Sequence, residues 1–357
     1  MKKGLLLALF AGIAIFVFIK KEVSTQKVVE KPTTANAPVI TPTSIPEASS
    51  TTLFVPYWTL TSAPLPKNVT ALAYFGIDAN TNGIDTTDAG FRDIEEFVQK
   101  APKNEKTYLV VSLLDENTDE KILYNKDFQQ KMVSQSIAIA QKYGFTGIIL
   151  DLEYKALSFD EVIATTTNFT KNFATAAHKN KLLFYQALYG DTIFLLRPYD
   201  VAAIGKNTDG IFILAYDFHK TDGNPGPNFP LHPLPDEDYS FVQMIQDFKK
   251  QVPIQKLRVV YGMFGYDWEI NRKGESTDTG VSLTTQEAQQ KFLPTCALSD
   301  CVVLRDKIAS EMQVKYKDSQ DNMHEVWFED MQSVNQKENY ASSQGINASG
   351  FWAYGYF

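Results

Sequence analysis

Eight short apolar runs rich in β-forming residues, separated by stretches of helical character, set the tightest limit on what this chain can fold into. They are Leu53–Tyr57, Thr70–Ile77, Thr107–Leu114, Gly147–Leu152, Leu182–Tyr189, Gly210–Tyr216, Arg258–Phe264 and Gly350–Tyr354. Most are apolar at successive positions instead of alternating, as expected of parallel strands covered on both faces. Helical stretches lie between them, among them Phe91–Lys100, Lys126–Tyr143, Phe159–Lys179 and Tyr239–Gln251. Eight such units in about 300 residues predict an α/β fold, a (β/α)8 TIM barrel over 51–357, with a doubly wound open sheet as the alternative.

The first 50 residues are of another kind. Met1-Lys2-Lys3 precedes an uninterrupted apolar run from Gly4 to Ile19, which ends at Lys20-Lys21-Glu22. The run falls between a signal-peptide core and a full membrane span of about 20 residues, and no Ala-x-Ala cleavage signal follows it. Residues 1–22 therefore read as a signal anchor, with a cleaved signal peptide as the alternative. Residues 23–50 are rich in Thr, Ser, Ala, Val and Pro, with Pro32, Pro38, Pro42 and Pro46 nearly evenly spaced. That composition has too few large apolar groups to fold alone and predicts a disordered linker. The expected location is the extracytoplasmic face of the cell membrane, or outside the cell if the segment is cleaved.

Lys plus Arg number 34 and Asp plus Glu 42, a net charge of -8. This argues against nucleic acid as a partner, because affinity for a phosphate backbone comes from clustered cations. The longest gap between predicted strands, Phe264 to Gly350, must hold more than one helix, and Glu325-Val326-Trp327-Phe328 is a candidate extra strand. It also contains the only cysteines, Cys296 and Cys301. In an exported protein the two can close a small loop as a disulfide, and the alternative is a pair of reduced, partly buried thiols. Without a nearby pair of histidines they make an incomplete zinc site. His178, His219, His232 and His324 show no metal-ligand spacing and no Ser/His/Asp arrangement. No metal and no cofactor is expected.

The chemistry concentrates at the fourth run, where Gly147-Ile148-Ile149-Leu150 leads into Asp151-Leu152-Glu153. Two acids two residues apart on a continuing strand point to the same face, and in a barrel that face is the interior at the C-terminal end. Burying one carboxylate beside another raises the pKa of one of them and readies it to donate a proton near neutral pH. The plainer alternative is a pair of acids that end a strand and cap the next helix.

Gly144-Phe145-x-Gly147-Ile148-x-x-Asp151-x-Glu153 resembles the fourth-strand signature of glycoside hydrolase family 18, the chitinase-like barrels. The last two acids of the family's Asp-x-x-Asp-x-Asp-x-Glu fall on Asp151 and Glu153, while Thr146 and Ile149 replace the first two of that run. Further matches follow in order. Leu214-Ala215-Tyr216-Asp217 resembles Met-x-Tyr-Asp of the sixth strand, and Phe264-Gly265-Tyr266-Asp267-Trp268 resembles Tyr-Gly-Tyr-Asp-Trp after the seventh. Gly350-Phe351-Trp352 is similar to the eighth-strand Gly-x-x-Trp, and Trp327-Phe328-Glu329-Asp330 to a segment of the bacterial spore-cortex-lytic and polysaccharide-associated branch. The family's third-strand Ser-x-Gly-Gly survives only as Ser112.

The resemblance implies substrate-assisted, retaining hydrolysis of a polysaccharide containing 2-acetamido sugars, such as chitin or peptidoglycan, an exception to the usual two-carboxylate scheme. It assigns Glu153 as general acid, Asp151 as the group orienting the acetamido, Tyr216 as donor to its carbonyl, Asp217 as sugar contact and Trp352 as the stacking floor. Tyr57, Tyr74 and Trp268, at strand ends, are further candidates for lining sugar subsites, with core packing as the alternative for each. Tyr189 and Tyr266 share that ambiguity. Losing the acids at Thr146 and Ile149 and the Gly-Gly after Ser112 keeps a second class in view, a catalytically inactive glycan-binding barrel.

Overall fold

Apolar runs that are apolar at both parities bury both faces, and the chain satisfies them by closing them into a ring. The computed structural model describes residues 50–60, 64–103, 105–235 and 238–357; the predicted membrane segment and, but for Ser50, the predicted linker lie outside the described residues. The first half contains β1 (Ser50–Pro56), β2 (Ala71–Asn80), β3 (Gly83–Ile84), α1 (Ala89–Lys100), β4 (Lys106–Leu113), α2 (Glu116–Leu123), α3 (Lys126–Tyr143) and β5 (Gly147–Leu152). Then come α4 (Asp160–Lys179), β6 (Leu183–Tyr189), α5 (Val201–Asn207), β7 (Gly210–Ala215), α6 (Phe241–Gln251) and β8 (Leu257–Gly262). Next follow β9 (Phe264–Ile270), β10 (Val281–Thr284), α7 (Thr285–Phe292), β11 (Ser299–Arg305), β12 (Met312–Lys317) and β13 (Met323–Phe328), and the chain ends with α8 (Met331–Ser343) and β14 (Ala348–Trp352). Among the described residues no helix is long and apolar enough to cross a membrane.

Strands β1, β2, β4, β5, β6, β7, β8 and β14 pair in parallel around a closed ring. Closure is visible at Thr52, which pairs with Ala71 on one side and Gly350 on the other. The fold is therefore the barrel and not the open sheet. Side-chain parity then sorts each strand. Ile148, Leu150 and Leu152 of β5 face outward into the layer between barrel and helices, where they join Phe169, Phe173 and Phe184, while Ile149 faces the interior with Phe54, Tyr185 and Phe212. Every helix but α4, which follows Phe159, begins where a polar side chain meets its free amides: Asn125 accepts from the amides of Asp127 and Phe128 to start α3, and Asp330 accepts from that of Ser333 to start α8. Helix α3 ends at Gly144, whose φ of 76° suits a residue without a Cβ.

The segment between β8 and β14 holds more than was predicted. It contains two helices and a second, antiparallel sheet in the order β10-β9-β13-β12-β11, of which only the strand at 325–328 was anticipated. In β12 the residues Met312, Val314 and Tyr316 are buried while Lys315 is exposed, so the strand alternates and a search for continuous apolar runs passes over it. The predicted seventh strand is also split. It stops at Gly262, and Phe264 opens β9 in the other sheet. Cys296 and Cys301 are joined by a disulfide that ties the loop before β11 to that strand.

A buried ion cluster fastens this second sheet to the barrel. Lys337 of α8 places Nζ 2.8 Å from Glu311 Oε1 and 2.7 Å from Glu329 Oε1, and all three side chains are fully buried. Glu311 also accepts from the backbone amides of Asn228, at 2.6 Å, and Phe229, at 2.8 Å, in the loop after β7. Burial favours the neutral form of Glu329 and raises its pKa to about 8, Lys337 pulling the other way. Burial likewise disfavours the charged form of Lys337, but Glu311 and Glu329 outweigh it and hold the ammonium protonated. At neutral pH the cluster thus sets the Lys337 cation beside a Glu329 carboxyl that favours its protonated form.

Lys337→Met should strip the cation from two buried acids and lower stability by about 3–5 kcal/mol in urea denaturation at pH 7. Glu329→Gln substitutes a neutral isostere for a protonated carboxyl and should cost about 1 kcal/mol or less. It should also remove the part of the wild type's stability that is present below pH 4.5 and lost as pH rises through about 8.

Candidate active site

The parity that sends Ile149 inward does the same for Asp151, one step nearer the C-terminal end of β5. Glu153 lies just beyond the strand, and its amide donates to the Leu113 carbonyl at 2.9 Å, which prolongs the pairing with β4. Both acids therefore reach one wall of a cavity of about 470 Å³ at the C-terminal end of the barrel. That volume is within the range for small-molecule sites. Tyr216, Asp217, Tyr266 and Trp352 line the same cavity, so six of the residues singled out in the sequence are brought together. Ser282, Leu283, Thr284 and Glu287, from β10 and α7, supply a wall from the second sheet.

The apolar side centres on Trp352, the last residue of β14. Its ring stands 4.8 Å from Phe75, 6.0 Å from Phe54 and 6.4 Å from Trp58, centroid to centroid. Trp58 is 51% exposed and leans over the cavity. Sequence reasoning missed it, although it directly follows the first apolar run.

Asp217 sits in the left-handed region at φ 61° and is held on several sides. Its amide donates to Asn228 Oδ1 at 2.7 Å, and Tyr266 Oη donates to its Oδ1 at 2.6 Å. Lys220 Nζ is 3.8 Å from Oδ2. Burial raises the pKa of Asp217, with Tyr266 and Lys220 opposing the rise. Asn228 is itself fixed, since Nδ2 donates to the carbonyls of Gly262 and Phe264 at 3.3 and 3.2 Å.

The acids crowd each other. Burial first, then Glu153, Asp119 and Asp78, push the Asp151 carboxyl well above the usual range. Asp119, on α2, is buried with neither carboxyl oxygen hydrogen-bonded among the described residues. Burial, with Asp115 and Glu153, raises it to about 7. No motif or spacing marked Asp119, one acid among several on a short helix. Tyr216 is kept protonated by burial and by Asp151, Asp217 and Glu153, so its hydroxyl is available as a donor. Tyr189, at the end of β6, donates to Glu153 Oε2.

The two departures from the resemblance differ in weight. Thr146 precedes β5 at the far end of the barrel, where its hydroxyl donates to the Thr107 carbonyl at 2.8 Å, so its identity does not bear on the cavity. Ile149 lies in the barrel interior at the inward position before Asp151 and offers that acid no hydrogen bond.

Three predicted subsite residues stand elsewhere. Tyr74 lies between the inward-facing Ala73 and Phe75, so it points outward; its hydroxyl donates to the Gly90 carbonyl and its ring packs 4.8 Å from Phe97. Tyr57 is in the turn after β1, with its ring 5.1 Å from Trp58, which takes the cavity position instead. Trp268 is fully buried and donates Nε1 to the Lys220 carbonyl at 3.3 Å, bracing the turn that carries Asp217 from behind. Among the described residues no group of three or more His, Cys, Asp or Glu side chains is placed to hold a metal ion.

Asp119 supplies a check on these electrostatics. Its raised pKa means a contribution to stability present below pH 3.8 and lost as pH rises through about 7. Asp119→Asn should therefore melt at a higher temperature than the wild type at pH 8 and at a similar one at pH 4, read by thermal denaturation monitored by circular dichroism.

The family model described as glycosyl hydrolases family 18 matches residues 32–356. The cortical fragment-lytic enzyme of Bacillus anthracis is 24% identical over 295 residues, covering 80% of this chain and 65% of that protein. The chain spans 52% to 65% of the length of the curated Bacillus sporulation and cortex-lytic relatives it matches. Among solved structures, the spore cortex-lytic enzyme SleL of Bacillus cereus superposes with a TM-score of 0.68 at 21% identity, over 86% of this chain and 71% of that one. A family 18 chitinase from Cycas revoluta in complex with (GlcNAc)3 gives 0.72 at 21% identity, over 85% and 95%. With the family model spanning the whole barrel, the chain belongs to the glycosyl hydrolases of family 18.

Proposed function

We propose that this chain hydrolyses β-linked polysaccharide containing N-acetylglucosamine, with the substrate's own 2-acetamido group as nucleophile. The observation that carries the reading is the convergence of Glu153, Asp151 and Tyr216 on one cavity with Trp352 as its apolar side. The likeness to a chitinase seen with (GlcNAc)3 and to cortical fragment-lytic enzymes supports the substrate class.

In this reading the sugar stacks on Trp352, and Glu153 protonates the glycosidic oxygen. The acetamido carbonyl attacks the anomeric carbon as the leaving group departs, giving an oxazolinium ion. Asp151 orients the acetamido N–H and stabilises the positive charge that develops there, while Tyr216 donates a hydrogen bond to the carbonyl oxygen. Glu153, now a carboxylate, takes a proton from the water that opens the ion from the same face, so the configuration is retained. Asp217 contacts the sugar. Burial, with Glu153 beside it, disfavours the charged form of Asp151, so the cavity wall that meets the acetamido group is short of solvating water.

Glu153→Gln should abolish turnover of a chromogenic N-acetylglucosamine oligomer while leaving oligomer binding within a few fold. Asp151→Asn should slow oxazolinium formation, and Tyr216→Phe should cost about 2–3 kcal/mol in the barrier, the worth of one transition-state donor. Because these groups serve one transition state, the losses should not add. Analogues lacking the 2-acetamido group should be inert. Ile149, which gives Asp151 no partner, favours a second reading, a glycan-binding barrel without turnover. Binding of chitooligomers by wild type and Glu153→Gln alike, with hydrolysis by neither, would establish it.

The location completes the proposal: the apolar run Gly4–Ile19 anchors the barrel to the extracytoplasmic face of a membrane through the Pro- and Thr-rich linker. The full chain should sediment with membranes and be open to protease from outside the cytoplasm. A mature N-terminus beyond residue 22 in a secreted form would identify a cleaved signal instead.

A further inference from the structure

Tyr189 is the last residue of β6 and lies on the inward parity of Tyr185 and Ala187. Its ring is almost wholly buried and is absent from the cavity lining, so the phenol stands behind Glu153 and not against a ligand. From there Oη donates to Glu153 Oε2. Two cations lie over the ring, the Arg197 guanidinium 4.2 Å and the Lys220 ammonium 5.0 Å from its centroid. Arg197 is fixed by Asp191 through two hydrogen bonds of 2.6 and 2.8 Å. Cations on an aromatic face attract its electrons, hold the ring in place and make the hydroxyl a stronger donor. Burial, together with Glu153, keeps the phenol protonated.

The Glu153 carboxyl is also faced by Asp151 from its own strand, Asp119 from α2, and Tyr216 and Asp217 from the end of β7. Of all these groups Tyr189 is the one that donates a hydrogen bond to it. A protonated carboxyl has one hydroxyl and one carbonyl oxygen, and the oxygen that accepts a donor is the carbonyl one. The geometry points to Tyr189 as a positioning residue that locks the Glu153 side chain and confines its transferable proton to Oε1. This inference rests on the reading of Glu153 as the proton donor. It adds a fixed direction for that proton, which a glutamate with free rotation about its side-chain bonds lacks.

Tyr189→Phe keeps the ring and both cations and removes only the donor. On a chitooligomer, whose leaving sugar needs protonation, kcat should fall about 10–100-fold with KM unchanged within about twofold, in the range of general acid catalysis. On a 2,4-dinitrophenyl chitobioside, whose leaving group departs without a proton, the loss should be under about threefold. A purely structural role would slow both substrates alike. Independently of turnover, the Glu153 side chain, tied at Oε2 in the wild type, should take more than one rotamer in a crystal structure of Tyr189→Phe. Equal losses on the two substrates, or a single unchanged Glu153 rotamer in the variant, would overturn the proposal. Absence of wild-type turnover would sink the hydrolase reading alone, and the rotamer would still decide whether Tyr189 holds Glu153.

Discussion

Much of the site depends on a charge cluster that never meets solvent. Lys337, Glu311 and Glu329 come from α8, the start of β12 and the end of β13, so the ammonium joins the second sheet to the helix that packs on the barrel. Through Glu311 the cluster also grips the amides of Asn228 and Phe229, and Asn228 in turn holds the amide of Asp217. A buried ion cluster gains little net energy over apolar packing, but it tolerates only one arrangement of its partners. Here that arrangement fixes the residue after Tyr216 in a left-handed conformation it would not adopt alone.

A second constraint is the two-residue period of a strand. It admits Ile149 and Asp151 to the interior and excludes Ile148, Leu150 and Leu152, so one strand delivers both the barrel's packing and its chemistry. Where the interior gives way to the cavity, the carboxyls of Asp151 and Asp119 lie in surroundings that penalise charge. The proton they retain is a consequence of place, not of any special residue type.

What could be read in the sequence follows the same division. Parallel strands buried on both faces leave continuous apolar runs, so all eight barrel strands were legible, and so was the Asp151–Glu153 pair at the end of one of them. The alternating strands of the second sheet carry a weaker signal, half of it polar, and β9–β12 went unseen. For Tyr74 the sequence leaves subsite and core both open, and the inward parity of Ala73 and Phe75 turns it to the core. For Trp268 the same two roles stay open in the sequence, because its hydrogen bond to the Lys220 carbonyl is a tertiary contact with no local trace. Asp119 and the cations over Tyr189 come from distant segments that only folding brings together.

Strand β1 closes the ring, and it does so running in the same direction as its neighbours. The chain therefore enters the barrel at Ser50 from the end where the strands begin, while the cavity opens at the end where they finish. Entry point and opening are separated by the full height of the barrel. A molecule that enters the mouth therefore approaches the barrel from the side opposite to Ser50.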